Sequence, residues 1–212
     1  MKDWERKYYS ESDGRPNLFY VLYGSFGEMQ PLSRSIYWSN GVPSGFELMK
    51  YERLEQPDVF NTFCEGYLWE TLQKEDPEQA GMIESAESCF ILRGEVEDQL
   101  NLNYFRDVIG VLTYLADFGG VSIFDPHMFK WWRVDEWKSK VFEGHEAYPR
   151  HHVVVLSSDE PDGLGSIPEE CGNSVDPISA YRRYCQILRI VSSKCSTDSS
   201  NFRLLVGSLK KA

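Results

Sequence analysis

Asn101-Leu-Asn-Tyr-Phe-Arg-Asp-Val-Ile-Gly-Val-Leu-Thr-Tyr-Leu-Ala-Asp-Phe-Gly-Gly-Val-Ser-Ile-Phe124 is the stretch on which the fold turns. Leu102, Phe105, Ile109, Leu112 and Ala116 recur at three- and four-residue spacing, which predicts a helix with one apolar face turned to the core. Asn101 or Asn103 can cap its start, and Gly119-Gly120 can end it. Val121-Ser-Ile-Phe124 follows almost at once and stops at Asp125-Pro126, so a tight connection leads from the helix into a strand and then a turn.

The same reading extends outward in both directions. Upstream, Cys89-Phe-Ile-Leu-Arg93 is a short apolar run closed by Gly94 and predicts a buried strand. Glu78 to Glu87 suits a helix. Pro57 suits a first helical turn, and Val59, Phe60, Phe63, Tyr67, Leu68 and Leu72 predict one amphipathic helix over residues 57 to 73, broken at Asp76-Pro77. Residues 25 to 56 mix aromatics with Gly and Pro and read as short strands and turns. Leu18-Phe-Tyr-Val-Leu-Tyr23 is rich in aromatic residues and predicts the first strand. Downstream, Asp135 to Phe142 reads as a short helix around Trp137. His152-Val-Val-Val-Leu156 reads as a last strand ahead of an Asp-Gly turn at Asp162-Gly163. The expected fold is α+β, with one domain over residues 1 to 163, a mixed or antiparallel sheet and packed helices.

Composition narrows the possible partners. Lys and Arg number 22 against 33 Asp and Glu, and the resulting net charge of -11 opposes general attraction to phosphate backbones and anionic lipid. Neither nucleic acid nor a membrane is expected as a partner. No stretch of about 18 apolar residues occurs, and no targeting segment is visible at Met1, so the expected location is cytoplasmic. Cys64, Cys89, Cys171, Cys185 and Cys195 form no CxxC pair and have no matching His spacing, so free thiols and no metal are expected.

After Leu164 the pattern ends. Residues 165 to 179 show no alternation and contain two prolines, and the remainder to Ala212 turns Ser-rich while keeping three of the five cysteines. Codons that permit residues 165 to 179, with one T restored before them and the first two bases of the Ala180 codon after them, also encode WFHTRGMRKFGRPDIS. Placed after Leu164, that string supplies a strand LWFHT on the far side of the Asp-Gly turn. Residues 164 to 212 therefore read as an out-of-frame tail.

With the restored string, the chain resembles a family of uncharacterised bacterial proteins in which a strand precedes a segment like HTRGMRKFGRPD. The upstream residues that carry the resemblance are Asn101-Leu-Asn-Tyr-Phe-Arg-Asp-Val-Ile-Gly110, Gly119-Gly-Val-Ser-Ile-Phe-Asp-Pro126 and Lys130-Trp-Trp132. The resemblance spans roughly residues 88 to 163 and implies no known activity. No residue after Leu164 inherits a role from it.

Candidate binding residues are few. Asp125 and His127 follow a strand, a common place for functional loops, although Asp125-Pro126 can simply end the strand and leave His127 on the surface. Trp131 and Trp132, flanked by Lys130 and Arg133, suit a recognition surface or a core-facing aromatic cluster under a loop. Arg106 beside Asp107 suits a charged pocket wall, a solvated edge or a structural ion pair. Arg93 closes a strand and can hold an anion. No nucleophile is paired with a base, and no phosphate loop or cofactor motif occurs. The expectation is a noncatalytic interaction or regulatory domain with a protein partner. The alternative is an enzyme or binding protein for an anionic small molecule, which needs the basic motif of the restored frame.

Overall fold

Residues 3–6 and 15–143 are described by the computed structural model, and their elements follow from where apolar residues are covered on one side or on two. The central strand, β1 (Asn17–Gly24), pairs antiparallel with β3 (Ser88–Glu95) on one side and β4 (Gly120–Asp125) on the other. The edges are β2 (Phe46–Glu52), paired with β3, and β5 (Lys130–Arg133), paired with β4. The order is β2-β3-β1-β4-β5, and every pairing is antiparallel. The α+β expectation holds, with an antiparallel sheet.

Both faces of the sheet are covered. Tyr20, Leu22, Phe90, Leu92, Ile123 and Trp132 point to one side, into a core shared with α5 (Asn103–Asp117), α1 (Arg34–Tyr37) and α6 (Val134–Trp137). A turn of π-helix, Lys138–Phe142, continues α6. Phe19, Val21, Tyr23, Cys89, Ile91, Phe124 and Trp131 point to the other side, against α2 (Pro57–Asn61), α3 (Tyr67–Glu75) and α4 (Pro77–Ser85). Fully burying a Leu or Phe side chain contributes about 1.5–3 kcal/mol, so these two aromatic-rich layers supply most of what holds the sheet. Double coverage also explains why the strands read as continuous apolar runs rather than alternating ones.

Two expectations need correction. The single helix over residues 57 to 73 is two helices, because Gly66 takes φ 79, a left-handed conformation that breaks the helical path between α2 and α3. Phe60 and Phe63 still face the core beside Trp69, which is why the spacing mimics one helix. Lys130-Trp-Trp-Arg133 is an edge strand rather than a cluster under a loop, and its two indoles lie on opposite faces of the sheet. The stripe on α5 is as expected, with Phe105, Ile109 and Leu112 buried and Leu102 packed against them. Asn101 rather than Asn103 serves its first turn, since Asn101 Oδ1 accepts from the Asn103 amide at 3.1 Å. The expected strand His152 to Leu156, the Asp-Gly turn and the tail after Leu164 lie outside the described residues.

Candidate functional site: the β4–β5 hairpin

Four of the six candidate residues meet on one hairpin. Asp125 ends β4, Lys130 opens β5 directly opposite it, and Pro126 to Phe129 make the four-residue turn. The Asp125 carboxylate organises this turn, since its Oδ1 accepts from the amides of His127 at 3.0 Å and Met128 at 3.1 Å. Phe129 completes it in a left-handed conformation, φ 52, which is uncommon for a bulky residue. Asp125 is only 2% exposed, because the central strand passes behind it and the Tyr20 hydroxyl hydrogen-bonds its carboxyl. Burial pushes the Asp125 pKa up to about 7, against the downward pull of the two amides and Tyr20.

His127 is half-buried rather than a free surface residue, and its Nε2 is buried with no hydrogen-bond partner among the described residues. Burial lowers its pKa, so the neutral ring is favoured. Trp131 stacks on Phe124, ring centroids 4.3 Å apart, and meets Trp69 edge-on at 5.6 Å. On the opposite face Trp132 meets Trp137 edge-on at 6.0 Å, and the Lys130 ammonium sits 3.6 Å from the Trp132 ring centroid. That ammonium also donates to Glu136 at 2.8 Å. Trp137 Nε1 donates to Thr113 Oγ1 at 3.0 Å, but the indole N–H groups of Trp131 and Trp132 are buried without acceptors among the described residues.

The two arginines stand elsewhere. Arg93 lies on the α2–α4 side of the sheet, where its guanidinium reaches Glu47 across the β2–β3 ladder at 3.3 Å. Arg106 is buried on the opposite side of the sheet, in α5, and is not part of a solvated edge. Its Nη2 pairs with Asp107 Oδ1 at 3.1 Å and its Nη1 donates to Asn103 Oδ1 at 3.0 Å. Asn40 completes this network by donating to Asp107 Oδ2 at 3.0 Å. Arg93 and Arg106 therefore belong to separate structural networks on opposite sides of the sheet and do not converge on one anion.

Sequence reasoning missed Tyr20 as a partner of Asp125. Only the β1–β4 register, Val21 opposite Phe124, brings the two together, and register is not written in either segment alone. It also missed where the negative charge gathers. Between Glu52 and Glu87 the chain carries ten Asp and Glu against Arg53 and Lys74 alone, and these residues form the α2–α4 layer with its flanking turns. Burial raises the Cys64 thiol to about 11 and raises Cys89 well above its ordinary value, so neither offers a thiolate near neutral pH. Among the described residues no group of three or more His, Cys, Asp or Glu is placed to hold a metal ion. No helix among them is long and apolar enough to cross a membrane.

Neither a protein-family model nor a curated protein nor a solved structure matches the chain.

Proposed function

We propose that this chain is a noncatalytic interaction domain that receives a Lys- and Arg-rich protein segment on its α2–α4 face. The observation that carries the reading is the asymmetry of charge. Glu55, Asp58, Glu65, Glu70, Glu75, Glu78, Glu84 and Glu87 are all exposed on that layer. Of these only Glu78 has a cation partner among the described residues, Arg133 at 2.8 Å. A concentrated negative field of this kind speeds encounter with a basic partner and rejects acidic ones. The polar groups of the hairpin and of α5 serve the fold, whereas most exposed carboxylates of the acidic layer have no cation partner among the described residues. A cytoplasmic partner fits this reading, and nucleic acid does not.

The test is isotope-edited NMR of the full chain titrated with a lysine-rich oligopeptide, with an acidic oligopeptide of equal length as control. Shift changes confined to α2, α3 and α4, lost on adding salt and lost in the Glu65→Lys, Glu70→Lys, Glu75→Lys triple variant, support the reading. Changes spread evenly over both faces, or none, overturn it. The rival role in binding an anionic small molecule depends on the basic motif of the restored frame. A thermal-shift screen of phosphorylated and carboxylated metabolites against a frame-restored chain checks it, a saturable rise in midpoint being the result that favours the rival.

A further inference from the structure

We propose that the β4–β5 hairpin is a proton-linked latch, packed shut while the Asp125 carboxyl is neutral and loosened when that carboxyl ionises. The geometry has three parts. Asp125 is buried at the base of the turn with no Lys, Arg or His ion pair among the described residues. Its only polar partners among the described residues are the two turn amides and the hydroxyl of Tyr20, whose ring meets Trp137 with centroids 5.8 Å apart. The turn that seals it contains two further unfavourable features, the left-handed Phe129 and the buried, unpartnered His127 Nε2. Opening relieves all three, because water can then solvate the carboxylate and the imidazole and Phe129 can relax.

The charged and titratable neighbours among the described residues lie on β1, β5, α6, α5 and the turn. From β1, Tyr20 contributes a neutral donor. From β5, Lys130 is directed at Trp132 and Glu136 rather than at Asp125. From α6, Glu136 is held by Lys130 and Lys140, each at 2.8 Å. From α5, Tyr104 acts on Tyr20 only at a distance. From the turn, His127 is kept neutral by burial. Among the described residues no cation therefore offsets an ionised Asp125, and three neutral donors replace only part of its hydration.

The sign follows from linkage. A carboxyl whose pKa is higher in the closed hairpin than in the open one binds its proton more tightly when closed. The latch is therefore tightest below the ordinary Asp value of about 3.9, weakens as pH rises toward the closed-state value, and is level above it. His127 acts in the opposite direction, since its lowered pKa makes the closed turn less favourable as pH falls through the value it has there. The Gln variant of His127 separates the two effects.

The experiment is NMR on the full chain: titration of the Asp125 carboxyl carbon, with hydrogen exchange of the His127 and Met128 amides corrected for intrinsic rate. In His127→Gln, the opening that exposes the Met128 amide should increase about tenfold per pH unit between roughly pH 5 and 6.5, and then level off. Asp125→Asn keeps an amide acceptor and an uncharged side chain, and should make that opening independent of pH. Should Asp125→Asn fail to fold, the wild-type carbon titration decides, together with Tyr20→Phe, which removes a donor to the carboxylate and should move the midpoint upward. A carboxyl midpoint below about 5, or the same pH dependence with Asn at 125, overturns the latch.

Discussion

At Gly110, in the middle of α5, a missing side chain decides how two helices meet. Glycine in a helix interior costs about 1 kcal/mol relative to alanine, so propensity alone favours replacement. A Cβ at this position, however, would stand 2.2 Å from the Tyr37 carbonyl oxygen and 2.6 Å from Ser39 Cβ. That segment cannot yield easily. Ser39 is wholly buried, donates from Oγ to the Asp107 carbonyl at 2.8 Å and accepts from the Gly41 amide at 3.1 Å. We expect Gly110→Ala to destabilise the protein by about 1–3 kcal/mol, the usual range for overpacking, in urea unfolding. Gly81 in α4 is the control, because a Cβ there meets nothing within 4 Å. Gly81→Ala should stabilise by about 0.5–1 kcal/mol, and equal effects at the two sites would refute this account.

Helix and sheet are joined by Asp76, which serves α4 and β5 at once. Its Oδ1 accepts from the Gln79 amide at 3.1 Å and caps α4, with Pro77 in the first turn. Arg133 grips both carboxylate oxygens at 2.6 Å, a two-point pairing that ties the edge strand to the helix. The Arg133 pair, and after it the Gln79 amide, holds the Asp76 carboxyl below its usual range. A depressed folded-state value means stability that is present above the unfolded value and lost as pH falls, so Asp76 should steepen the acid limb of thermal stability. Asp76→Asn keeps a capping oxygen but loses the charge, and its melting temperature should fall less than wild type on acidification. Parallel curves would sink this. Legibility at this scale followed coverage. The α5 stripe and the strands β1, β3 and β4 are readable because their apolar runs are bounded by Gly, Asp or Pro. The α2–α3 break is obscured because Phe60, Phe63 and Trp69 converge on one core from either side of it. Strand β5 is obscured because two adjacent tryptophans buried on opposite faces leave no polar–apolar alternation to see. Within the candidate site, Asp125 and its turn are readable from Asp125-Pro126, whereas the Tyr20 contact depends on register between distant segments.

In the whole molecule, charge and core are arranged around one strand. The acidic layer lies on one side, the α5 layer on the other, and β1 runs between them with Val21, Leu22 and Tyr23 wholly buried. We expect an out-of-frame C-terminal segment to weaken the whole molecule. A frame-restored chain should melt higher and express in better soluble yield than the present chain, and deletion of residues 165 to 212 should rescue neither. Differential scanning calorimetry and size-exclusion profiles of the three proteins check this, and equal melting of the present and restored chains would show that residues 165 to 212 belong to the native fold. The position of β1 has a consequence for synthesis on the ribosome. Its two partners come late, Val21 pairing first with Ile91 and then with Phe124. At roughly 5–20 residues per second, the apolar Leu18 to Tyr23 run emerges and then waits on the order of ten seconds before both its edges can be filled. During that interval a nascent chain displays an apolar segment with at least one edge unpaired. The yield of this protein in a cell should then depend on how quickly ribosomes reach the codons for β4, and on which chaperones meet the chain before they do.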